Sequence, residues 1–196
     1  PRSGARMTVP RALTSAARAN ISAGIPTKFH AISFEEDEAA DRSPELATTL
    51  PDAITAADDV LADHRLHARC EVSQQRSVDA VLEVVETGDA DLVSVMSHVP
   101  GMGQFQDIAA FKEYYENADG HTAEEAEEMI EKRTDISSAT LRERVDQVIQ
   151  AAQEAGVVTA SHDDENPEKV ERLADSGADI TEDPLPLARA GRAGAV

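Results

Sequence analysis

The sequence has one cysteine, few aromatic residues and no long apolar run, and each of these shortages excludes a type of bond, core or partner. Cys70 is the only cysteine, which excludes a disulfide within the chain and predicts a reducing, cytoplasmic location. Aromatic residues make up 3% of the chain and tryptophan is absent, so the 41% of hydrophobic residues must form a mainly aliphatic core. Because no apolar run reaches the roughly 18 residues that a membrane span needs, we expect no membrane partner.

Basic residues are also scarce. The chain has 18 of them against 38 acidic residues, a formal net charge of −20 at pH 7. Such a chain would repel a polyanion and has no basic stripe, so nucleic acid is not an expected partner. Acidic runs such as residues 35–38 and 163–165 predict a solvated face of a halophilic protein, since high salt screens self-repulsion. The alternative is an ordinary acidic protein.

Strand-like and helix-like patterns alternate along the chain. Strands are predicted at residues 25–34, 64–72, 91–97, 157–160 and 178–181. Helices are predicted at residues 11–23, around 51–61, at 78–88, from 122, at 141–156, 167–176 and 184–190. This alternation predicts an α/β fold with a parallel sheet, formed by one domain over residues 1–196. Open edges of such a sheet would favour association, so a homo-oligomer is expected.

Three predicted strands end in residues that commonly bind metals. Glu71, His98 and His162 follow or close the strands at 64–72, 91–97 and 157–160, the last of which leads into a predicted loop at 161–165. The carboxyl ends of parallel strands open onto one edge, so these side chains can converge. Two imidazoles and a carboxylate suit Zn²⁺ or a similar divalent ion, which lowers the pKa of a bound water.

Each of these residues also has a simpler interpretation. The aspartates at 163–164 could do no more than cap the following helix, and His98 could bond only to backbone groups. Glu71 could pair with a neighbouring arginine. His64 and His67 are weaker ligand candidates because they lie farther from the end of their strand.

Three blocks of sequence resemble one known family. They are residues 63–71 (DHRLHARCE), 92–105 (LVSVMSHVPGMGQF) and 160–164 (ASHDD), supported by 112–115 (KEYY). They are similar to the PhnM family, the phosphonate-metabolism branch of the amidohydrolase superfamily. The similarity runs along nearly the whole chain.

The resemblance implies a metal-dependent (β/α)₈ barrel of the TIM type, of which this chain would supply roughly strands two to six. The substrate would be α-D-ribose 1-methylphosphonate 5-triphosphate, a phosphorylated sugar phosphonate cleaved to the 5-phosphate and pyrophosphate in the carbon–phosphorus lyase pathway. By position, Glu71, His98 and His162 would bind the divalent metal, Zn²⁺ or Mn²⁺. Asp163 and Asp164, which are motif positions of the family, would orient these ligands or close the loop. Because a triphosphate needs cations around it, we expect Arg69, Lys112 and Arg76 to be the basic residues near it. No catalytic base is assigned.

The sequence departs from the family pattern at several places. Ser97 stands where an aspartate is usual, and residues 182–184 replace a more apolar motif. The first metal-binding strand of the family would precede Pro1 and its last would follow Val196, so we expect an internal fragment that is inactive alone. Two alternatives stay open: another hydrolase of the superfamily, acting on an amide or cyclic amide, or a non-catalytic acidic α/β fragment.

Overall fold

The computed structural model describes residues 9–37, 42–55, 62–100, 107–117 and 122–182. Predictions at residues 1–8, 56–61, 101–105 and 184–190 lie outside the described residues. The described elements, in chain order, are α1 Val9–Ser22, β1 Thr27–Ser33, α2 Pro44–Ala47, α3 Leu50–Thr55, β2 Asp63–Glu71, α4 Gln75–Glu86, β3 Leu92–Met96, α5 Ile108–Asn117, α6 Ala123–Thr134, α7 Ser138–Ala155, β4 Val158–His162, α8 Pro167–Asp175 and β5 Ile180–Glu182.

Local capping signals set the helix ends. At the start of α6, the Thr122 hydroxyl accepts a hydrogen bond from the Glu125 amide, and the Glu125 carboxylate accepts one from the Thr122 amide. This confirms the predicted capping box. Gly156 ends α7 in the left-handed conformation, with φ of 72°, and its amide donates to α7 carbonyls. Asn166 caps α8 and Pro167 is its first residue, as predicted.

The strands form one parallel sheet in the order β1-β2-β3-β4-β5. Because the spatial order equals the chain order, the described sheet shows no reversal of the kind found in doubly wound folds. Sequential parallel strands joined by helical crossovers are the pattern of an α/β barrel. The sheet is therefore consistent with a partial α/β barrel, which agrees with the predicted α/β class.

The two faces of the sheet differ in polarity. One face is aliphatic and packs against α4 and α7. Val93 and Val95 of β3 belong to one hydrophobic cluster with Val81 of α4 and Ile149 of α7. Because side chains alternate along a strand, their neighbours point to the other face. That face carries residues such as His67 and Ser94, which are buried and bonded to each other. The core is aliphatic as expected, and the second face leads to the polar site.

Two details differ from the sequence predictions. Ser161 and His162 were expected in a loop but belong to β4, because they pair with Val95 of β3 and with Glu182 of β5. The last strand likewise begins two residues later, at Ile180. Cross-strand register, which local sequence does not encode, fixed both boundaries.

The acidic runs are not uniformly solvated. Glu35 and Asp37 are only 2% and 4% exposed, and Asp164 is fully buried. The prediction of a solvated face is therefore wrong for these three residues. Arg42 pairs with Glu35, and Lys169 lies 3.3 Å from Asp164, so these two of the three buried carboxylates have a cation beside them.

Within the described residues, every helix is too short or too polar to traverse a lipid bilayer.

Candidate functional site

The carboxyl edge of the sheet carries a titratable residue at the end of every strand. Glu71, His162 and Glu182 are the last residues of β2, β4 and β5, while Glu35 and His98 each lie two residues beyond β1 and β3. Alternation along each strand places them on the polar face. The site is therefore built from segments far apart in sequence, which the parallel sheet brings to one edge.

Glu71 and His98 form a buried pair at the centre of this edge. The carboxylate Oε2 lies 2.8 Å from His98 Nδ1 and also accepts from the His98 amide at 3.0 Å. The other oxygen accepts from the Ser73 amide and hydroxyl. Complete burial opposes ionisation of Glu71, but its hydrogen bond with His98, the charges of His98 and Arg133, and Ser73 lower its pKa to about 2.

The contact with Glu71 also shifts the pKa of the His98 imidazole, in this case upward. Burial works to lower the pKa of His98, but the hydrogen bond and charge of Glu71, helped by Glu35, raise it overall. A metal ion would therefore compete with a proton for this ring.

Glu35 is a second buried carboxylate that the sequence interpretation missed. It forms an ion pair with Arg42, and its Oε2 lies 3.9 Å from both His98 Nδ1 and Arg133 Nη2. This oxygen is buried and has no hydrogen-bond partner among the described residues. The pairing of β1 with β2 explains its position. Ser33 pairs with Arg69, so Glu35, two residues later, lies opposite Glu71.

Arg133 of α6 joins the buried carboxylates to the loop after β3. Its side chain is 5% exposed, and Nη1 donates to the His98 carbonyl at 3.1 Å and to the Tyr115 hydroxyl at 3.0 Å. Burial works against its charge, but Glu71, Tyr115 and Glu35 raise the pKa of Arg133 overall. The guanidinium thus compensates the carboxylates and holds the backbone of His98.

His162 has a different set of partners. Its Nδ1 lies 3.1 Å from Glu182 Oε2, and its Nε2 lies 3.0 Å from Arg69 Nη2. Asp163 Oδ2 is 3.6 Å from His162 Nε2 and 4.0 Å from His98 Nε2, so this carboxylate lies beside both rings. Asp163 holds a positive φ of 51°, a conformation that aspartate tolerates better than most residues.

The other predicted residues lie in different surroundings. Asp164 accepts from the Ser161 hydroxyl. Burial raises the pKa of Asp164 overall, against the lowering effects of Ser161 and Lys169. Lys112 forms an ion pair with Glu127 of α6. Arg76 pairs with two exposed glutamates, Glu36 and Glu45.

Three of these donors meet the requirements of a cation site. Glu35, Glu71 and His98 each offer a ligand atom, and the three atoms lie within 4.8 Å of one another. Two carboxylate oxygens and an imidazole nitrogen are ligands that Zn²⁺ and Mn²⁺ accept. Oε2 of Glu35, which no hydrogen bond occupies, has a lone pair to offer. The residues therefore fit a divalent cation, and His162 lies at the same edge beside Asp163.

A cavity of about 550 Å³ opens over this edge. Its polar lining includes Glu35, Arg42, Arg69, His98 and His162. A mainly apolar side comes from the helices, through residues such as Leu46, Leu50 and Tyr114. Lys112 is not part of the lining. The cavity thus combines two arginines with the candidate metal ligands.

Comparison with known proteins gives one distant relationship. No family model matches the chain. Over 123 residues, 63% of the chain, it is 27% identical to alpha-D-ribose 1-methylphosphonate 5-triphosphate diphosphatase of Escherichia coli (strain K12). The aligned segment spans 32%, about a third, of that protein's length. The similarity indicates a distant relationship to this diphosphatase.

Proposed function

We propose that this chain is part of a divalent-metal-dependent hydrolase with a barrel of the amidohydrolase type. Its substrate would be the one named for the E. coli relative, α-D-ribose 1-methylphosphonate 5-triphosphate, cleaved to the 5-phosphate and pyrophosphate. The observation that carries the proposal is the meeting of Glu35, Glu71 and His98 at the carboxyl edge, with donor atoms within 4.8 Å of one another. This edge is where α/β barrels place their active sites.

The residues proposed to hold the ion, Zn²⁺ or Mn²⁺, are Glu71, His98 and His162, with Glu35 as an added candidate. Such an ion supplies Lewis-acid polarisation of a phosphoryl oxygen and lowers the pKa of water. For His162 to bind through Nε2, Arg69 must release that nitrogen, which it now contacts at 3.0 Å. Asp163, close to both rings, is placed to orient them or to hold a proton.

The cations of the cavity favour an anionic substrate. Arg42 and Arg69 both line it, and arginine recognises phosphate oxygens through paired hydrogen bonds. A neutral cyclic amide, the substrate type of the alternative hydrolase, carries no negative charge for these two guanidinium groups to bind. Lys112, which we expected to contact the triphosphate, pairs with Glu127 and does not line the cavity, so Arg42, which does line it, replaces Lys112 in the proposal.

Metal titration tests the proposal most directly. We expect saturable binding of Mn²⁺ or Zn²⁺ to the 196-residue chain by isothermal titration calorimetry, and at least tenfold weaker binding in Glu71→Gln and in His98→Ala. Glu143→Gln, at an exposed position of α7, is the matched control and should bind like the wild type. Absence of saturable binding in the wild type, or unchanged binding in His98→Ala, would contradict the proposed site.

The substrate is tested separately. Both assays use one metal-loaded preparation of the full-length protein. The first measures pyrophosphate release from the sugar triphosphate, and the second measures hydrolysis of a dihydroorotate-type amide. Release of pyrophosphate with no amide turnover supports the proposal. Amide turnover alone would favour the other branch of the superfamily.

A further inference from the structure

Glu182 forms the closest carboxylate contact of His162. Its Oε2 lies 3.1 Å from His162 Nδ1, and the two residues are direct partners in the register of β4 and β5. Side chains of such partners leave the sheet on the same face, so backbone pairing holds the contact in place. The same oxygen is 3.8 Å from His67 Nε2, which instead contacts the Ser94 hydroxyl at 2.8 Å. His162 is therefore the nearer partner of Glu182.

The partners of His162 determine which ring nitrogen carries the proton. Arg69 Nη2 lies 3.0 Å from Nε2, and a guanidinium can only donate. Nε2 must therefore accept, with its lone pair on the edge that Asp163 also faces. The proton of the neutral imidazole is then on Nδ1, where it is donated to Glu182.

We propose that Glu182 is a positioning residue that fixes the Nδ1–H tautomer and the ring orientation of His162, so that Nε2 is presented as the ligating nitrogen. The proposal rests on the proposed function, since the proposed metal site is what would give that nitrogen its ligating role. Histidines that bind metals usually donate their other ring N–H to a carboxylate or carbonyl.

The tautomer can be observed without metal. Long-range ¹H–¹⁵N spectra of the labelled chain report which imidazole nitrogen is protonated, and His162→Gln identifies the signal. Because Arg69 also selects the tautomer, the comparison is made in Arg69→Met, where Glu182 acts alone. We expect Nδ1–H to persist in Arg69→Met and an Nε2–H population to appear when Glu182→Ala is added. An Nε2–H population already in Arg69→Met, or no change in the double variant, would overturn the proposal.

Metal affinity gives the second measurement. By calorimetry with Mn²⁺ or Zn²⁺, Glu182→Ala should bind about 10- to 100-fold more weakly than the wild type. Glu182→Gln should lose less, because its amide oxygen still accepts from Nδ1, and Glu143→Gln should lose nothing. If both Glu182 variants fold and bind within about twofold of the wild type, the proposal is wrong. If the wild type takes up no ion, the proposed function fails, while the tautomer measurement still decides the role of Glu182.

Discussion

Replacing Arg133 with methionine tests how far the buried carboxylates of the site depend on this guanidinium. Arg133 donates to the His98 carbonyl at 3.1 Å and to the Tyr115 hydroxyl at 3.0 Å, and lies 3.9 Å from the Glu35 carboxylate. The two carboxylates beside it, Glu35 and Glu71, are 2% and 0% exposed. Removing one member of a buried ionic network leaves the remaining charges less well compensated, which costs about 3–5 kcal/mol. We expect Arg133→Met to lower the free energy of unfolding by that amount.

Urea denaturation at pH 7, followed by far-ultraviolet circular dichroism, measures the change. Arg142→Met, at an exposed position of α7, is the control and should stay within about 0.5 kcal/mol of the wild type. Adding Glu35→Gln to Arg133→Met should restore part of the loss, since it removes one of the two buried negative charges beside Arg133, with a coupling energy of about 0.5–3 kcal/mol. A loss below about 1 kcal/mol with no coupling would refute the reasoning, because the carboxylates would then not need the arginine.

Three further predictions concern the scaffold, each measured by urea denaturation. Ile149→Ala removes a fully buried side chain between α7 and the sheet and should cost about 2–5 kcal/mol. Thr122→Ala removes one half of the capping box with Glu125 and should cost about 1 kcal/mol. Burial, then the charges of His64 and Lys28, lower the pKa of His30 below its ordinary 6.5, so the folded state binds this proton less well than the unfolded state. The stability that His30 contributes is therefore present above pH 6.5 and lost as the pH falls, and the advantage of the wild type over His30→Asn should be smaller at pH 5.5 than at pH 7.5.

The fold was predictable where the signal was local. Asn166 followed by Pro167 gave the start of α8, and Gly156 gave the end of α7, because caps depend on residues adjacent in sequence. The apolar stripe of Val78 and Val81 identified α4 for the same reason. The end of β4 was missed because Ser161 and His162 become strand residues only through pairing with β3 and β5.

The site was predictable to the extent that parallel strands share one edge. That rule was enough to expect Glu71 and His98 together, and Glu71 Oε2 lies 2.8 Å from His98 Nδ1. It was not enough for Glu35, which belongs to an acidic run that composition alone describes as solvated. Glu182 was hidden in another way, since its contact with His162 depends on the register of a three-residue strand. Both residues were recoverable only from cross-strand register.

Net charge is a poor guide to this site, because the charges are unevenly distributed. The chain carries −20, which argues against a polyanionic partner over the surface as a whole. At the carboxyl edge, however, Arg42 and Arg133 lie beside the buried carboxylate of Glu35, and Arg69 lines the same cavity as Arg42. The interaction that an anionic group meets there is set by these near charges in a partly buried cavity, where screening by solvent is weaker than at the surface. The acidic exterior is therefore compatible with the proposed anionic substrate, and we expect the arginines, more than the overall composition, to determine whether the cavity binds it.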